Sequence, residues 1–310
     1  MLTIDDCVVY GLRVHTRIPL PQAPLWNGEA GHIPDLEIIR GPVPERLSDL
    51  VRNTPFVQVS ADGRLRLNLK GVMALLIEGG RRITVETALA DDAPDLSTML
   101  LGPALGMLLH QRGLTPLHGA CVAIHGRAVV IAGPSGAGKS TLAAALLAEG
   151  HRLLADDLAV FTQAENGDLL AVPGYPQQRL WRDALEALAI SPGRPIRTAS
   201  RLGKFERRVP DLYCPEPLPV AAVCHLAEAD PSRPPGVERL TGVQAFETTR
   251  RNIYRFHIAA SMTGMPDMLE RVAAIVKVPQ YRLRRPTNFA ELTDYAAALP
   301  DALGLREAVR

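Results

Sequence analysis

The run Gly133-Pro134-Ser135-Gly136-Ala137-Gly138-Lys139-Ser140-Thr141 constrains this chain more than any other stretch, because it fits the phosphate-binding pattern G-x-x-x-x-G-K-S. An apolar run, Ala128-Val129-Val130-Ile131, leads into it, and an alanine- and leucine-rich segment, Thr141 to Glu149, leads out. This order of strand, loop and helix predicts an α/β core built around the loop. Gly133, Gly136 and Gly138 can take backbone conformations closed to residues with a Cβ, so successive N–H groups can curl around phosphate oxygens while the helix turns its positive end toward them. Lys139 adds a mobile point charge and Ser140 a hydroxyl for Mg²⁺, and Ser135, Ala137 and Thr141 complete the expected nucleotide-binding set. Lysine is otherwise scarce, occurring at Lys70, Lys204 and Lys277 in a chain that prefers arginine. A glycine-rich turn that only capped a helix would not need these flanks.

Composition narrows the partners. With 310 residues, 47% of them hydrophobic and 22% charged, the chain has material for one large or two medium cores. A formal net charge of +1 gives no general pull toward nucleic acid or an anionic membrane, and neither is an expected partner. Cys7, Cys121, Cys214 and Cys224 are widely spaced, without a C-x-x-C pair, which argues against a zinc site and against a disulfide framework. The first residues are acidic where a secretory signal is basic, and the apolar stretch from Leu100 to Leu109 is too short to cross a bilayer, so the cytoplasm, where ATP is, is the expected location.

Along the chain, residues 1–90 read as a β-rich N-terminal domain. Arg64 to Leu69 alternates with period two after an Asp62-Gly63 turn, and Val72 to Glu78 joins Arg82 to Glu86 through Gly79-Gly80. Residues 91–310 read as the nucleotide-binding domain. It opens on a connector helix from Asp92 to Leu109, kinked or split in two at Gly102-Pro103. A hairpin turning at His125-Gly126-Arg127 feeds the loop, and a short strand, His151 to Ala155, ends in Asp156-Asp157. A second hairpin follows, with strands at Val160-Phe161 and Leu169 to Val172, then a helix from Leu180 to Leu188. Ile190 to Pro217 reads as a basic, irregular, solvated loop, and Leu218 to Leu226 as a buried strand. Helices near Gly242 to Asn252, Pro266 to Lys277 and Asn288 to Ala298, with a strand at Tyr281 to Arg284, complete the chain.

Leu117-His118-Gly119, the loop Gly133 to Ser140, and Gly150 to Asp157 together resemble the kinase core of the HPr serine kinase/phosphorylase family. The chain is most similar to a diverged HPr-kinase-like branch found in bacterial gene clusters, some of whose members are tailoring kinases that phosphorylate a serine on a lasso-peptide precursor. Leu101-Gly102, Gln111-Arg112-Gly113 and Pro173-Gly174-Tyr175-Pro176 with Arg179-Leu180-Trp181 carry that finer likeness. The resemblance implies a P-loop kinase core of the HPr kinase C-terminal type, with ATP and Mg²⁺. It implies Asp157 as the base that takes the serine proton, Asp156 as its partner near the metal with Ser140, and His118 as the neighbour that holds the carboxylate's protonation and orientation. It also implies a peptide or small-protein acceptor bearing a serine, with an oligomer compatible. The family's metal-binding glutamate belongs to the region that reads Pro176 to Arg182 here, where no acidic residue stands.

Phosphoryl transfer needs an in-line nucleophile, cations on the phosphates and a carboxylate within reach of the attacking hydroxyl, and a strand-terminal aspartate pair beside the loop meets the last requirement. The same residues have structural readings: Asp156-Asp157 as a turn or helix cap, His118 as a satisfied structural histidine, Tyr175 and Trp181 as packing groups, and Arg194 to Arg208 as a solvated segment from which Lys204 or Arg207 reaches a phosphate. Two other functions share the loop, a nucleotide-binding regulatory or scaffold protein without turnover and a kinase for a small-molecule hydroxyl.

Overall fold

The computed structural model describes residues 5–28, 33–196, 203–227 and 232–305. The chain forms two compact units, one running to Pro116 and taking in Arg255–Glu270, the other holding Leu117–Ile196, the stretch that ends at Tyr254, and the chain from Arg271 on.

The first unit is an eight-stranded sheet of β1 (Asp5–Val9), β2 (Leu12–Thr16), β3 (Leu36–Arg40), β4 (Leu50–Asn53), β5 (Val57–Ser60), β6 (Leu65–Leu69), β7 (Met73–Glu78) and β8 (Arg82–Thr87), in the order β1-β2-β3-β8-β7-β6-β5-β4. Tyr10 and Gly11, at φ 52° and 71°, supply the left-handed pair that a two-residue hairpin turn requires. Along β2 the buried residues Leu12, Val14 and Thr16 alternate with half-buried ones, as a strand with one face on a core must. The expected β6-β7-β8 hairpins form an antiparallel meander, with Leu75 opposite both Leu67 and Val85.

The connector divides into α1 (Pro94–Met99), a π-helical turn at Leu100–Ala104, and α2 (Leu105–Gln111). Pro103 lies inside that turn; without an N–H it cannot keep the ordinary ladder, and the expected kink takes this form. α2 packs on β7 and on a later helix, Phe256–Thr263. Gln111 pins it by donating to the carbonyls of Gly63 (2.8 Å) and Ile77 (3.1 Å) while its Oε1 accepts from Gly80 N (2.9 Å). The connector therefore groups with the sheet, and the compact units divide at Pro116/Leu117 where the sequence pattern alone gave a border at residue 90.

The second unit contains β9 (Leu117–Ile124), β10 (Arg127–Ala132), α3 (Lys139–Ala148), β11 (Arg152–Ala155), β12 (Leu158–Gln163), β13 (Leu169–Val172), β14 (Gln177–Trp181), α4 (Arg182–Ala187), β15 (Lys204–Arg208), β16 (Leu218–Leu226), β17 (Gly236–Leu240) and α5 (Gly242–Asn252). After α6 (Phe256–Thr263) and α7 (Met265–Ile275) come β18 (Gln280–Arg284) and α8 (Ala290–Ala302). β10 is central, antiparallel to β9 and parallel to β16, which in turn is parallel to β18. α3 is apolar almost all round because it is enclosed: Leu142, Leu146 and Leu147 share one core with Val122, Val129 and Ile131 of the sheet and with Leu292, Ala296 and Leu299 of α8.

Two expectations are corrected here. The helix expected from Leu180 starts at Arg182, because Gln177–Trp181 pairs with Lys204–Arg208 as an antiparallel ribbon, which also replaces part of the expected solvated loop. Strand geometry lets Leu180 and Phe205 reach Ala144 of α3 while Arg179 and Glu206 are buried on the opposite face. Arg197 and Arg201 lie outside the described residues. α6 was not foreseen: it is eight residues long, enters through Arg255 in the left-handed region (φ 51°) and has no side-chain cap, so no local signal announces it. Among the described residues no helix is long and apolar enough to cross a membrane.

Candidate nucleotide-phosphate site

Strand direction gathers the chemistry at one edge of the second unit's sheet. β10, β16 and β18 end there, and β9, antiparallel to β10, begins there, with Ala132 opposite both Gly119 and His225. In open α/β sheets ligands bind outside such carboxyl ends. The loop Gly133 to Gly138 leaves β10 at this edge and runs into α3, whose first residue is Lys139.

The glycines are dictated by conformation and space. Gly133, Gly136 and Gly138 have φ 153°, 83° and 94°. A Cβ on Gly133 would meet Leu226 O at 3.1 Å, and one on Gly138 would lie 2.5 Å from Arg285 Nε, whereas nothing approaches Gly136 within 4 Å. Pro134, Ser135 and Gly136 are exposed, Ala137 and Gly138 half-buried, and Lys139 and Thr141 buried. Lys139 Nζ donates to the carbonyls of Gly133 (3.0 Å) and Pro134 (2.8 Å). Burial pulls its pKa down to about 8, against the upward pull of Asp156 and Asp157.

The aspartate pair fills a break in a ladder. β11 and β12 both pair with β9, at Ala123–Cys121 and at His118–Leu117, and Asp156-Asp157 span the gap after a bulge in β11. Asp157 stands at φ 76°, a left-handed conformation that aspartate tolerates better than most residues. Its carbonyl accepts from Gly119 N (3.2 Å) and contacts His118 Nδ1 (3.1 Å). Gly119 is required because a Cβ would lie 2.7 Å from Ile131 O.

The two carboxylates are held differently. Asp156 is buried; its Oδ1 accepts from Ser140 Oγ (2.8 Å) and its Oδ2 from Arg179 N (2.8 Å). Burial raises its pKa despite those bonds. Asp157 keeps about a fifth of its side chain exposed (22%) and accepts from Arg179 Nη1 at 3.0 Å. Burial pushes its pKa up too, but the opposing charges, Arg179 foremost, prevail and hold it below the usual range. Asp157 is thus an ionised acceptor in a partly open position.

His118 is placed beside the pair, though not as expected. Its Nδ1 lies 3.1 Å from the Asp157 carbonyl and 3.7 Å from the carboxylate, so the ring holds the main chain. A carbonyl only accepts, which makes Nδ1–H the tautomer and leaves Nε2 without a proton in the neutral ring. Burial, then Lys139, lowers the His118 pKa, which keeps it neutral.

Arg179 orients the Asp157 carboxylate, and sequence reasoning missed it. It is 7% exposed, its Nη2 lies 3.5 Å from Tyr175 OH, and its Nε has no partner among the described residues. The signal was a cation in strand-like sequence, between Gln178 and Leu180, with no acidic residue between Pro176 and Arg182. The ribbon brings up more cations. Trp181 opposes Lys204 on the face that carries Arg179, and the Lys204 ammonium lies 5.9 Å from the indole centroid, close enough to the site to act electrostatically on both aspartates. Arg207 donates to Gln178 Oε1 (3.0 Å), and Gln178 reaches Ser140 O (3.5 Å). Tyr175 is a buried packing group, while Trp181 is 38% exposed.

These residues fit a Mg²⁺-bound nucleotide. Three left-handed glycines, an open loop tip at Gly136, Lys139 and the Ser140–Asp156 pair form the donor set that such a group needs. Among the described residues no group of three or more His, Cys, Asp or Glu could hold a metal ion. Mg²⁺ tolerates so sparse a set because it keeps several waters and takes phosphate oxygens from its substrate.

A strand, a glycine loop and a helix around this constellation define a P-loop core of the α/β class. Residues 112–186, the stretch that holds the loop and the aspartate pair, match the family model described as the HPr Serine kinase C-terminal domain, so the chain is HPr-kinase-like over that stretch. The HPr(Ser) kinase/phosphatase from Coxiella burnetii matches over 60% of this chain and 88% of its own, at 16% sequence identity and a TM-score of 0.32.

Proposed function

We propose that the protein is an ATP-dependent kinase that transfers the γ-phosphoryl group to a serine hydroxyl of a peptide or small protein. The family match supports phosphoryl-transfer chemistry, and the observation that carries the reading is the division of labour between Asp156 and Asp157. Asp156, buried against Ser140, belongs to the metal side; Asp157, ionised and partly open, belongs to the acceptor side.

Ser140 and Asp156 would hold Mg²⁺, which when bound would neutralise charge on the phosphates. The loop amides and Lys139 bind the phosphate chain, and Lys204 adds a cation near the acceptor side. The serine oxygen forms a bond to the γ-phosphorus as the bond to the bridging oxygen breaks; ADP leaves with that electron pair, and Asp157 takes the serine proton. A carboxylate held this low is a weak base. That suffices, because a loose phosphoryl-transfer transition state asks more for positioning and charge stabilisation than for early deprotonation. Arg179 fixes the direction of the Asp157 oxygens, and His118 fixes the main chain behind them. The β-rich unit serves acceptor recognition. It carries a cavity of about 700 Å³ where Asp6, Arg13 and His15 line up with Trp26. A serine in the precursor of a ribosomal peptide, such as a lasso peptide, is the acceptor class that the finer likeness favours.

The test is Asp157→Asn assayed with labelled ATP and candidate serine peptides beside the parent. Transfer should fall by about a thousandfold or more while ATP affinity stays within about threefold. Equal transfer by the variant would remove Asp157 as the base. ATP binding by the parent, with no transfer to any peptide or small hydroxyl compound, would favour the regulatory reading.

A further inference from the structure

Asp157 and His118 stand on one side of the loop strand, across β9 and β12, while Arg285 stands on the other, just beyond the end of β18. Arg285 Nε donates to Ala137 O at 3.0 Å, and its Nη1 donates to Pro286 O at 2.9 Å. The guanidinium lies so close over Gly138 that a Cβ there would come within 2.8 Å of both Cζ and Nη2. Among the described residues Nη2 has no hydrogen-bond partner. A fixed planar cation is therefore hooked onto the phosphate loop at Ala137 and Gly138, from the β18 side of the loop strand, and no step of the transfer described above uses it.

The order along this edge sets the direction of the nucleotide. Transfer occurs at Asp157, so the γ-phosphate lies on the β9 and β12 side, and the phosphate chain must cross the loop toward the β16 and β18 side. The end it reaches is the α-phosphate, where the nucleoside begins. We infer that Arg285 is a nucleotide-positioning residue that holds the α-phosphate end of the bound nucleotide through Nη2, while its Nε keeps the loop in shape. An arginine suits this task because its planar fork lets one N–H grip the loop carbonyl while another faces the phosphate, which a lysine ammonium on a flexible stem cannot do in the same way. The inference rests on the nucleotide reading given above and adds its polarity.

The experiment measures binding of Mg-ATP and Mg-ADP to the full-length parent, Arg285→Ala and Arg285→Lys by isothermal titration, with thermal melting of each protein without nucleotide. Arg285→Ala should bind ATP and ADP each about tenfold or more weakly, with the ratio of the two affinities unchanged, since both nucleotides keep the α-phosphate. Arg285→Lys should recover only part of the loss. Weakened binding of ATP with ADP unaffected would put Arg285 at the γ end and overturn the inference. So would a lowered melting temperature with both affinities intact, which is what a purely structural clasp predicts. If the parent binds neither nucleotide, the nucleotide reading itself fails and the inference falls with it; if the parent binds both and the alanine variant binds both equally well, the inference alone fails.

Discussion

Lys139 brings the largest charge change into the phosphate loop within an accessible pH range. It donates to two carbonyls of its own loop, and burial brings its pKa down to about 8. The sign for binding follows directly. A triphosphate favours the charged ammonium, which is the main form below that value and is lost as pH rises through it. Affinity for Mg-ATP should be nearly flat from pH 6.5 to 7.5 and should fall toward about tenfold per pH unit above pH 8, with proton uptake on binding. Titrations in two buffers of different ionisation enthalpy measure both effects. Lys139→Met should bind weakly with no such slope; a wild-type profile flat to pH 9.5 would mean that the ammonium does not meet the phosphates. The backbone geometry of the loop was legible in sequence, because G-x-x-x-x-G-K-S ties glycine to positions of positive φ. Arg179 and Arg285 were not, since each reaches the site from a strand whose partner lies far off in sequence, beyond the reach of any spacing rule.

At the scale of elements, the β14–β15 ribbon holds the aspartate pair in place. Arg179 hydrogen-bonds both carboxylates, through its main-chain N–H to Asp156 and its guanidinium to Asp157. Arg179→Met keeps the N–H and removes the guanidinium, leaving Asp157 charged and mostly buried, so the protein should lose about 3 kcal/mol of stability at pH 7. The Asp157 pKa is depressed in the folded state. The contribution of the pair is therefore fully present above the unfolded value near 3.8 and is lost as pH falls through the folded value. Urea unfolding of parent and variant should show the widest gap at pH 6 to 7, closing below pH 4; a gap constant with pH would make the role of Arg179 one of packing. The ribbon was hidden in sequence for an identifiable reason. Lys204 to Arg208 is rich in charge, and the composition of a solvated loop is the same as that of a strand whose Arg179–Glu206 pair is buried across the ribbon. Elements that carry their own turn chemistry, such as the β9–β10 hairpin with His125 and Gly126 at φ 48° and 73°, were readable in place.

At the scale of the molecule, the described chain returns to its first unit after leaving it at Pro116, through Arg255–Glu270. A border near residue 90, which the change from strand to helix pattern favours, would cut through a core. Leu96, Leu100, Leu101, Leu105, Leu108 and Leu109 of the connector are all 3% exposed or less, and α2 meets β7 and α6 within the same unit. Each such leucine is worth roughly 1.5–3 kcal/mol when buried, so exposing them together forfeits roughly 10 kcal/mol, as much as a whole domain's margin of stability. A fragment spanning residues 91–310 should accordingly aggregate or bind a hydrophobic dye on expression. A fragment from Leu117 onward should do the same to a lesser degree, because α6 then lacks α2. Size-exclusion chromatography and dye fluorescence of the fragments beside the full chain measure this. A monomeric 91–310 fragment that binds Mg-ATP as tightly as the full chain would show that the helices can leave the sheet and that the nucleotide unit is independent from residue 91. Aggregation of that fragment, rescued by co-expression with residues 1–90, would show that the first unit is a structural partner of the connector.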